Sequence, residues 1–239
     1  MFELSKKIKH DFEKNFFEKK SWESLKSVCG VDEVGRGCLS GPLVVAAVIL
    51  PRNASCHLLK DSKVLTERER ELAYEWIISN CCWSTAFASA QDVDRYNIYQ
   101  STLKTMYKVC TQLFEKKTGA VNVLNGVLVD AMPLDLRSIS FKNRVGVYYF
   151  NYGETKSSSI AAASIVAKVT RDRFMKKLAN YFPAFLLGTH KGYATKKHID
   201  AIHSNGISLI HRKTFVKNFI QKDSDARQQQ SITTVCGGC

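Results

Sequence analysis

Apolar residues fall in short runs along the chain, separated by polar turns and by longer stretches of mixed character. Runs rich in valine are typical of buried strands, and alternation of apolar and polar positions is typical of half-buried ones. This pattern predicts strands at residues 29–31, 43–50, 83–87, 126–131 and 145–150. The first two are joined by a turn containing glycines, so we expect them to form a hairpin.

Three stretches carry the pattern of a helix. Thr66 and Glu69 have the spacing of a capping box and predict the start of the first helix. One apolar stripe over residues 103–114 predicts a second, and the third begins near Ser158 and is apolar over much of its circumference. We expect the first half of this third helix to be buried, with its small residues close to a sheet. The order of elements predicts a mixed α/β sheet with helices on its faces.

The length of 239 residues suits one domain with a substantial core. We predict a single domain over residues 1–221, with an amphipathic helical extension at 1–27 and a basic helical lobe at about 181–221. Residues 222–239 are polar and poor in hydrophobic side chains, which predicts a disordered tail.

Charge indicates the class of partner. Lys and Arg number 35 against 22 Asp and Glu, a formal net charge of +13. Residues 171–222 hold eleven Lys and Arg against two acids, so +9 of this charge lies in the last third. A basic balance this uneven favours binding to nucleic acid.

Targeting and cysteine patterns exclude other classes. No apolar run reaches the ~18 to 20 residues of a membrane span, and the first residues lack the apolar core of a signal peptide, so a cytoplasmic protein is expected. Of the eight cysteines only Cys236 and Cys239 have C-x-x-C spacing, and no second pair accompanies them. We therefore expect reduced thiols and no zinc site.

The stretch at residues 28–50 carries the first candidate chemistry. Asp32 and Glu33 lie where the first strand is expected to end, and both can serve one site only if a turn begins at Glu33. Gly35 and Gly37 supply the turn and allow close approach of main-chain N–H groups to a ligand. Arg36 between them offers a forked donor suited to phosphate. The alternative is a polar hairpin turn with a solvated acid pair.

Two further acids belong with this pair. Asp130 ends another apolar strand, and Glu154 follows the last one. An α/β sheet places its site at such strand ends, and four converging carboxylates would repel one another without cations. Oxygen ligands alone favour Mg²⁺ or Mn²⁺ over zinc. The acids therefore predict a two-ion site able to hydrolyse a phosphodiester.

These motifs, in this order, resemble ribonuclease HII, the type 2 ribonuclease H family, over roughly residues 29–215. The resemblance rests on the segments VDEVGRG, DSK, GVLVDA, SSIAAASIVAKVTRD and HKGYAT. It implies a ribonuclease H-like mixed sheet flanked by helices, with a C-terminal helical lobe. It also implies a metal-dependent monomer that cuts 5′ of ribonucleotides embedded in duplex DNA and cuts RNA in RNA–DNA hybrids.

By the same resemblance, Asp32, Glu33 and Asp130 match three of the four metal-binding acids of the family. The fourth position is occupied here by Glu154, where the family usually has aspartate preceded by Lys-Gly. Asp172 is a competing candidate, but it lies about three turns inside a helix, so we interpret it as an acid that supports the helix or the site indirectly.

The resemblance assigns substrate contacts as well. Gly35, Arg36 and Gly37 match the loop that reads the 2′-OH and adjoining phosphates, and Tyr193 matches the tyrosine that stacks on the sugar at the ribonucleotide–deoxynucleotide junction. Lys63 is either a phosphate contact, as the family implies, or a solvated loop lysine.

Six further positions are of interest. Cys38 replaces the usual proline after the glycine loop, with a small expected effect. Five basic residues are expected to lie near phosphates: His190, Lys191, His211, Arg212 and Lys213.

Two alternatives remain open at this point. A ribonuclease HIII-like enzyme with a preference for longer hybrids is favoured only by Glu154, since related HIII enzymes carry glutamate there. A non-catalytic nucleic-acid-binding protein would explain the basic last third, but it has no need of carboxylates beside a phosphate.

Overall fold

The computed structural model of the chain describes residues 1–54, 59, 62, 64–116, 119–141 and 144–217. Within them six strands form one sheet of order β1-β6-β5-β2-β3-β4. The strands are β1 (Lys6–Lys7), β2 (Ser27–Val34), β3 (Leu43–Ile49), β4 (Cys82–Ala88), β5 (Leu124–Asp130) and β6 (Gly146–Phe150). β2, β3 and β4 pair antiparallel, whereas β5 pairs parallel with both β2 and β6. The predicted mixed α/β sheet is confirmed.

Helices cover the faces of this sheet. They are α1 (Phe16–Glu23), α2 (Glu67–Asn80), α3 (Ala90–Phe114), α4 (Gly119–Asn122), α5 (Gly153–Lys156), α6 (Ser158–Tyr181), α7 (Leu187–His190) and α8 (Lys196–Asn205), with a 3₁₀ turn at Pro183–Phe185. One apolar core lies between the sheet and α3, and a second lies between the sheet, α2 and α6. None of the helices in the described ranges combines the length and apolar character needed to cross a lipid bilayer.

Local sequence explains where the longer helices begin. The Thr66 hydroxyl accepts a hydrogen bond from the Glu69 N–H at 3.2 Å, while Glu69 accepts from the Thr66 N–H at 2.8 Å, so the predicted capping box is confirmed. Ser89 and Asp92 form a matching box at the start of α3. Asn97 interrupts that helix with a φ of 62°, a kink that the apolar pattern does not predict.

The N-terminal segment differs from the prediction. Instead of one amphipathic helix over 1–27, it contains the edge strand β1, parallel to β6, followed by the helix α1. A two-residue strand of lysines has no local signal, because its pairing partners lie far along the sequence at Tyr148 and Tyr149.

The helix α6 touches the sheet through main-chain atoms. A Cβ on Gly30 would lie 2.1 Å from the carbonyl carbon of Ser159, so only glycine fits opposite the first turn of this helix. The Ser157 hydroxyl caps the same turn by accepting from the Ile160 N–H at 3.1 Å. The expected close approach of the helix to the sheet is confirmed.

The C-terminal elements enclose a small apolar cluster of their own. It includes Met175 from α6, Leu187 from α7 and Ile202 from α8. The limits of the domain, its lobe and its extension stay a prediction. The predicted tail at 222–239, with the Cys236 and Cys239 pair, lies outside the described residues.

Candidate active site

The predicted acids line one cavity where β2 and β5 end. Asp32 and Glu33 reach it from β2, Asp130 from the last position of β5, and Glu154 from the short helix α5. The cavity has a volume of about 510 Å³. The other residues that line it are Val34, Ser62, Arg70, Ser164, Lys168 and Tyr193.

The adjacent carboxylates on β2 reach the cavity in a way that the sequence did not predict. The strand runs on to Val34, so the expected end at Glu33 is wrong by one residue. Asp32 and Glu33 therefore leave opposite faces of the strand, yet both line the cavity because the chain turns directly afterwards, at Gly35 with a φ of +91°. The Glu33 N–H donates to Asp32 Oδ1 at 2.8 Å.

A main-chain contact brings the other two acids together. The Gly153 N–H donates to Asp130 Oδ1 at 2.8 Å. A Cβ on Gly153 would lie 2.9 Å from the same oxygen, so glycine allows the turn that carries Glu154 to sit against the end of β5. Glu154 itself is buried.

Burial and like charge dominate the electrostatics of these acids. Burial raises the pKa of Asp32 well above its usual range, and the charges of Glu33, Asp130 and Glu154 add to the effect. Burial likewise raises the pKa of Glu33 to about 7, although the guanidinium of Arg36 opposes this shift. Among the described residues no group donates to the buried Oε2 of Glu33. One buried carboxylate oxygen of the acid set is therefore left without a hydrogen-bond donor in the described part of the chain.

Oxygen donors of this kind fit Mg²⁺ or Mn²⁺. As they stand, however, no three Asp, Glu, His or Cys side chains in the described part of the chain are gathered closely enough to hold an ion. The arrangement is an open set of ligands, and cations would have to draw them inward. Asp172 is not part of the lining, and its carboxylate accepts from Lys168 at 3.0 Å, one helical turn away.

The glycine loop follows the acids directly. A Cβ on Gly35 would lie 2.4 Å from the Arg171 side chain, whereas one on Gly37 would meet open space. Arg36 donates to Glu33 Oε1 at 3.2 Å, so its guanidinium faces the acids. Cys38 is fully buried behind the loop.

Tyr193 also lines the cavity. The residue is 39% exposed, and the cationic groups of Lys168 and Arg171 each lie 5.8 Å from its ring centroid. An exposed ring beside cations can stack on a sugar or base and contact its phosphate. Lys63 falls outside the described residues.

Sequence reasoning missed four polar residues that line the cavity. Ser164 and Lys168 are one turn apart on α6, and the Ser164 hydroxyl lies 2.8 Å from that of Ser62. Arg70 donates to the Ser62 carbonyl at 2.8 Å. The available signal was the position of Lys168, where α6 turns from apolar to basic.

Three residues expected near phosphates are placed elsewhere. His190 is 8% exposed, His211 is 2% exposed and Arg212 is fully buried. The guanidinium of Arg212 donates to the main-chain oxygens of Arg36 at 2.7 Å and Gly41 at 3.1 Å. These side chains support the loops from inside the protein, so the expectation of phosphate contacts is wrong for them.

Comparison with known proteins places this site in a family. The model of the family described as Ribonuclease HII matches residues 29–219. The chain belongs to the ribonuclease HII family. It is therefore a ribonuclease H, an endonuclease of a family that depends on divalent metal and acts on RNA–DNA hybrids. This excludes the non-catalytic alternative.

Individual members of the ribonuclease HII family are similar over most of the chain. The ribonuclease HII of Rickettsia canadensis (strain McKiel) is 42% identical over 199 residues, covering 83% of this chain and 93% of the relative. The ribonuclease HII of Rickettsia bellii (strain OSU 85-389) is 41% identical over 201 residues, covering 84% and 94%.

Solved structures support the ribonuclease H-like fold. The ribonuclease H2 of Pyrococcus horikoshii OT3 has a TM-score of 0.66 at 23% identity, covering 82% of this chain and 98% of that one. Bst-RNase HIII in complex with Mn²⁺ has a TM-score of 0.64 at 20% identity, covering 82% and 70%.

Proposed function

We propose that this enzyme cuts the phosphodiester on the 5′ side of a ribonucleotide embedded in duplex DNA, and also cuts RNA in RNA–DNA hybrids, leaving 3′-hydroxyl and 5′-phosphate ends. The observation that carries the proposal is the single cavity lined by Asp32, Glu33, Asp130 and Glu154 with Tyr193 at its rim. We further propose ribonucleotide removal from DNA, in the cytoplasm and as a monomer, as its cellular role.

The four carboxylates are the proposed ligands. When bound, two Mg²⁺ or Mn²⁺ ions supply an activated water and stabilise the leaving oxygen of an in-line displacement. The raised pKa values of Asp32 and Glu33 and the undonated Oε2 of Glu33 support this assignment, since each reports negative charge that the protein itself leaves uncompensated.

Recognition is assigned to the groups around the acids. The main chain of Gly35, Arg36 and Gly37 reads the 2′-OH, which separates RNA from DNA, and the open space above Gly37 leaves room for the sugar. Tyr193 stacks on the sugar at the junction.

Cationic groups complete the proposed recognition surface. Lys168 and Arg70 face the same cavity and attract the phosphates, and Lys63 joins them by resemblance to the family.

The test uses a duplex DNA with one ribonucleotide, incubated with and without Mg²⁺, with the cut mapped at nucleotide resolution. We expect one cut on the 5′ side of the ribonucleotide, and only with metal. An all-DNA duplex of the same sequence is the control and should stay intact. A cut on the 3′ side, or cleavage of the control, contradicts the proposal.

Glu154 favours a second candidate, a preference for long hybrids as in ribonuclease HIII. The same assay with a fully hybrid duplex separates the two. Turnover at the single ribonucleotide equal to or above that on the hybrid supports the first proposal, and cleavage of the hybrid alone supports the second.

A further inference from the structure

Three histidines lie inside the protein beside the candidate site. His190 ends α7, His198 lies on α8, and His211 follows that helix, with 8%, 0% and 2% of their surfaces exposed. The rings of His190 and His198 stack with centroids 4.3 Å apart, and those of His198 and His211 lie 5.3 Å apart. We call these three residues the histidine chain.

Hydrogen-bond partners assign the protons of the two outer rings. His190 accepts at Nδ1 from the Gly192 N–H at 3.2 Å, so its own proton lies on Nε2, which donates to the Phe185 carbonyl at 2.8 Å. His211 accepts at Nδ1 from the Ser208 N–H at 3.0 Å, so its proton also lies on Nε2.

The central ring has the reverse tautomer. His198 Nδ1 donates to the main-chain carbonyl of Tyr193 at 2.9 Å, so Nε2 is its acceptor. That atom receives the Nε2–H of His211 at 3.2 Å. The Ser40 hydroxyl lies 3.5 Å from the same nitrogen. Each ring therefore has one donor and one acceptor, each facing a partner of opposite kind.

A second proton on any ring would set two N–H donors against each other. Burial also lowers the pKa of all three rings, that of His211 to about 4. Two cations lie beside the chain. The charge of Lys191 lowers the pKa of His190, and the Arg171 guanidinium donates to the main-chain oxygens of Ser40 and Lys191. The uncharged, single-tautomer state is thus the one that this environment stabilises.

The histidine chain joins the segments that carry the proposed substrate contacts. His190 accepts a hydrogen bond from the Gly192 N–H, and His198 donates one to the Tyr193 carbonyl. Gly192 in turn accepts at its carbonyl from the Leu39 N–H at 2.9 Å, in the segment after the glycine loop. A Cβ on Gly192 would lie 2.4 Å from the Ser40 oxygen, so the two segments are in main-chain contact.

We propose that the histidine chain positions Tyr193 for reading the junction, and that His198 is the positioning residue through its bond to the Tyr193 carbonyl. This inference rests on the proposed function of Tyr193. The proposal predicts that the N–H donor at Nδ1 of His198 is needed for cleavage at the junction. The acceptor at Nε2 should contribute less to that cleavage.

Two amide variants separate these nitrogens. The side-chain amide of His198→Asn places an N–H near the Nδ1 position and keeps the hydrogen bond to the Tyr193 carbonyl. The longer side chain of His198→Gln places its amide near the Nε2 position, so the hydrogen bond to Tyr193 is lost. Because one hydrogen bond can change a rate about tenfold, we expect His198→Gln to lower kcat/KM at a single ribonucleotide by about that factor. His198→Asn should lower it by less than about threefold, and both should lower cleavage within long hybrids by less than about threefold.

Melting temperatures and circular dichroism establish that both variants are folded. If His198→Gln is unfolded, the comparison moves to His211, where Asn keeps the Ser208 bond and withdraws the donor from His198, while Gln keeps that donor. Because the proposal assigns the junction role to Nδ1 of His198 and not to Nε2, both His211 variants should lower cleavage at the single ribonucleotide by less than about threefold. A loss of about tenfold in His211→Asn alone would contradict that assignment.

Tyr193→Ala distinguishes failure of this inference from failure of the proposed function. If Tyr193→Ala lowers junction cleavage selectively but His198→Gln and His198→Asn behave alike, the positioning role is wrong and the function stands. If Tyr193→Ala lowers cleavage of both substrates equally, the proposed junction role of Tyr193 is wrong, and the positioning role of His198 is then wrong as well.

Discussion

The carboxylate cavity and the histidine chain both bury titratable side chains, yet they satisfy them in opposite ways. In the cavity, burial and the charges of neighbouring acids raise the pKa values of Asp32 and Glu33, and we propose that cations from outside the protein balance this charge. In the chain every ring nitrogen meets a complementary donor or acceptor from the protein itself, from the Phe185 carbonyl to the Ser208 N–H.

Under the proposed function, the difference separates buried polar groups that bind a ligand from those that stabilise the fold. A buried group with a matched partner adds to stability, whereas buried like charges cost stability until something binds between them. Substitutions in the cavity should therefore remove activity at little cost in stability. Substitutions or protonation in the chain should cost stability, and the loss of activity they cause should be confined to cleavage at the single ribonucleotide.

The largest expected effect is that of Asp130→Asn. The amide oxygen can still accept from the Gly153 N–H, but the ligand charge is gone, so cleavage should fall to background. The melting temperature without metal should be unchanged or higher, because one of the repelling charges has been removed. Cleavage assays and thermal melts with and without Mg²⁺ measure both. Wild-type cleavage by this variant would remove Asp130 from the site.

Acid should destabilise the protein through the histidine chain. The pKa of His211 falls from 6.5 to about 4 in the folded protein, so the unfolded state binds the extra proton first as pH drops. The contribution of neutral His211 to the free energy of unfolding is complete above about pH 6.5 and is lost as the pH falls toward 4. The full pKa shift corresponds to a loss of about 3 kcal/mol. Urea unfolding across this range measures the loss.

A matched pair of variants assigns this acid sensitivity. His211→Asn should flatten the dependence of the unfolding free energy on pH, whereas His203→Asn, at an exposed histidine of α8, should leave it unchanged. Equal slopes in the two variants would show that His211 does not carry the effect.

The smallest expected effect is that of Glu154→Asp. Shortening the side chain by one methylene gives the residue that the resemblance to the family leads us to expect, and it changes the reach of one proposed ligand on α5. We expect the metal concentration for half-maximal cleavage to shift by about two- to tenfold, with unchanged stability in thermal melts. Titration with Mg²⁺ and Mn²⁺ measures the shift, and identical curves would show that Glu154 is not a ligand.

Local patterns predicted most of the fold and the position of the acids. The capping box at Thr66 gave the start of α2, and valine-rich runs gave the strands that end at Asp130 and Phe150. These features depend on residues within a few positions of one another. The convergence of the acids followed from the rule that parallel strands present their carboxyl ends at one edge.

Features that depend on distant contacts were missed. The strand β1 exists because of its pairing with β6, and the burial of His190, His211 and Arg212 depends on packing among α7, α8 and the glycine loop. A histidine or arginine near a basic lobe has the same sequence signature whether it faces a phosphate or a main-chain carbonyl.

The contact between Gly30 and Ser159 has a consequence for how this enzyme can vary. Two positions beyond Gly30 along the strand lies Asp32, and the helix that begins near Ser159 carries Lys168 on the other wall of the cavity. Since this contact is made by backbone atoms, the width of the cleft is set independently of the side chains that fill it. An exchange such as glutamate for aspartate at position 154 can then change which ligands the cleft binds, while the distance between its two walls stays the same.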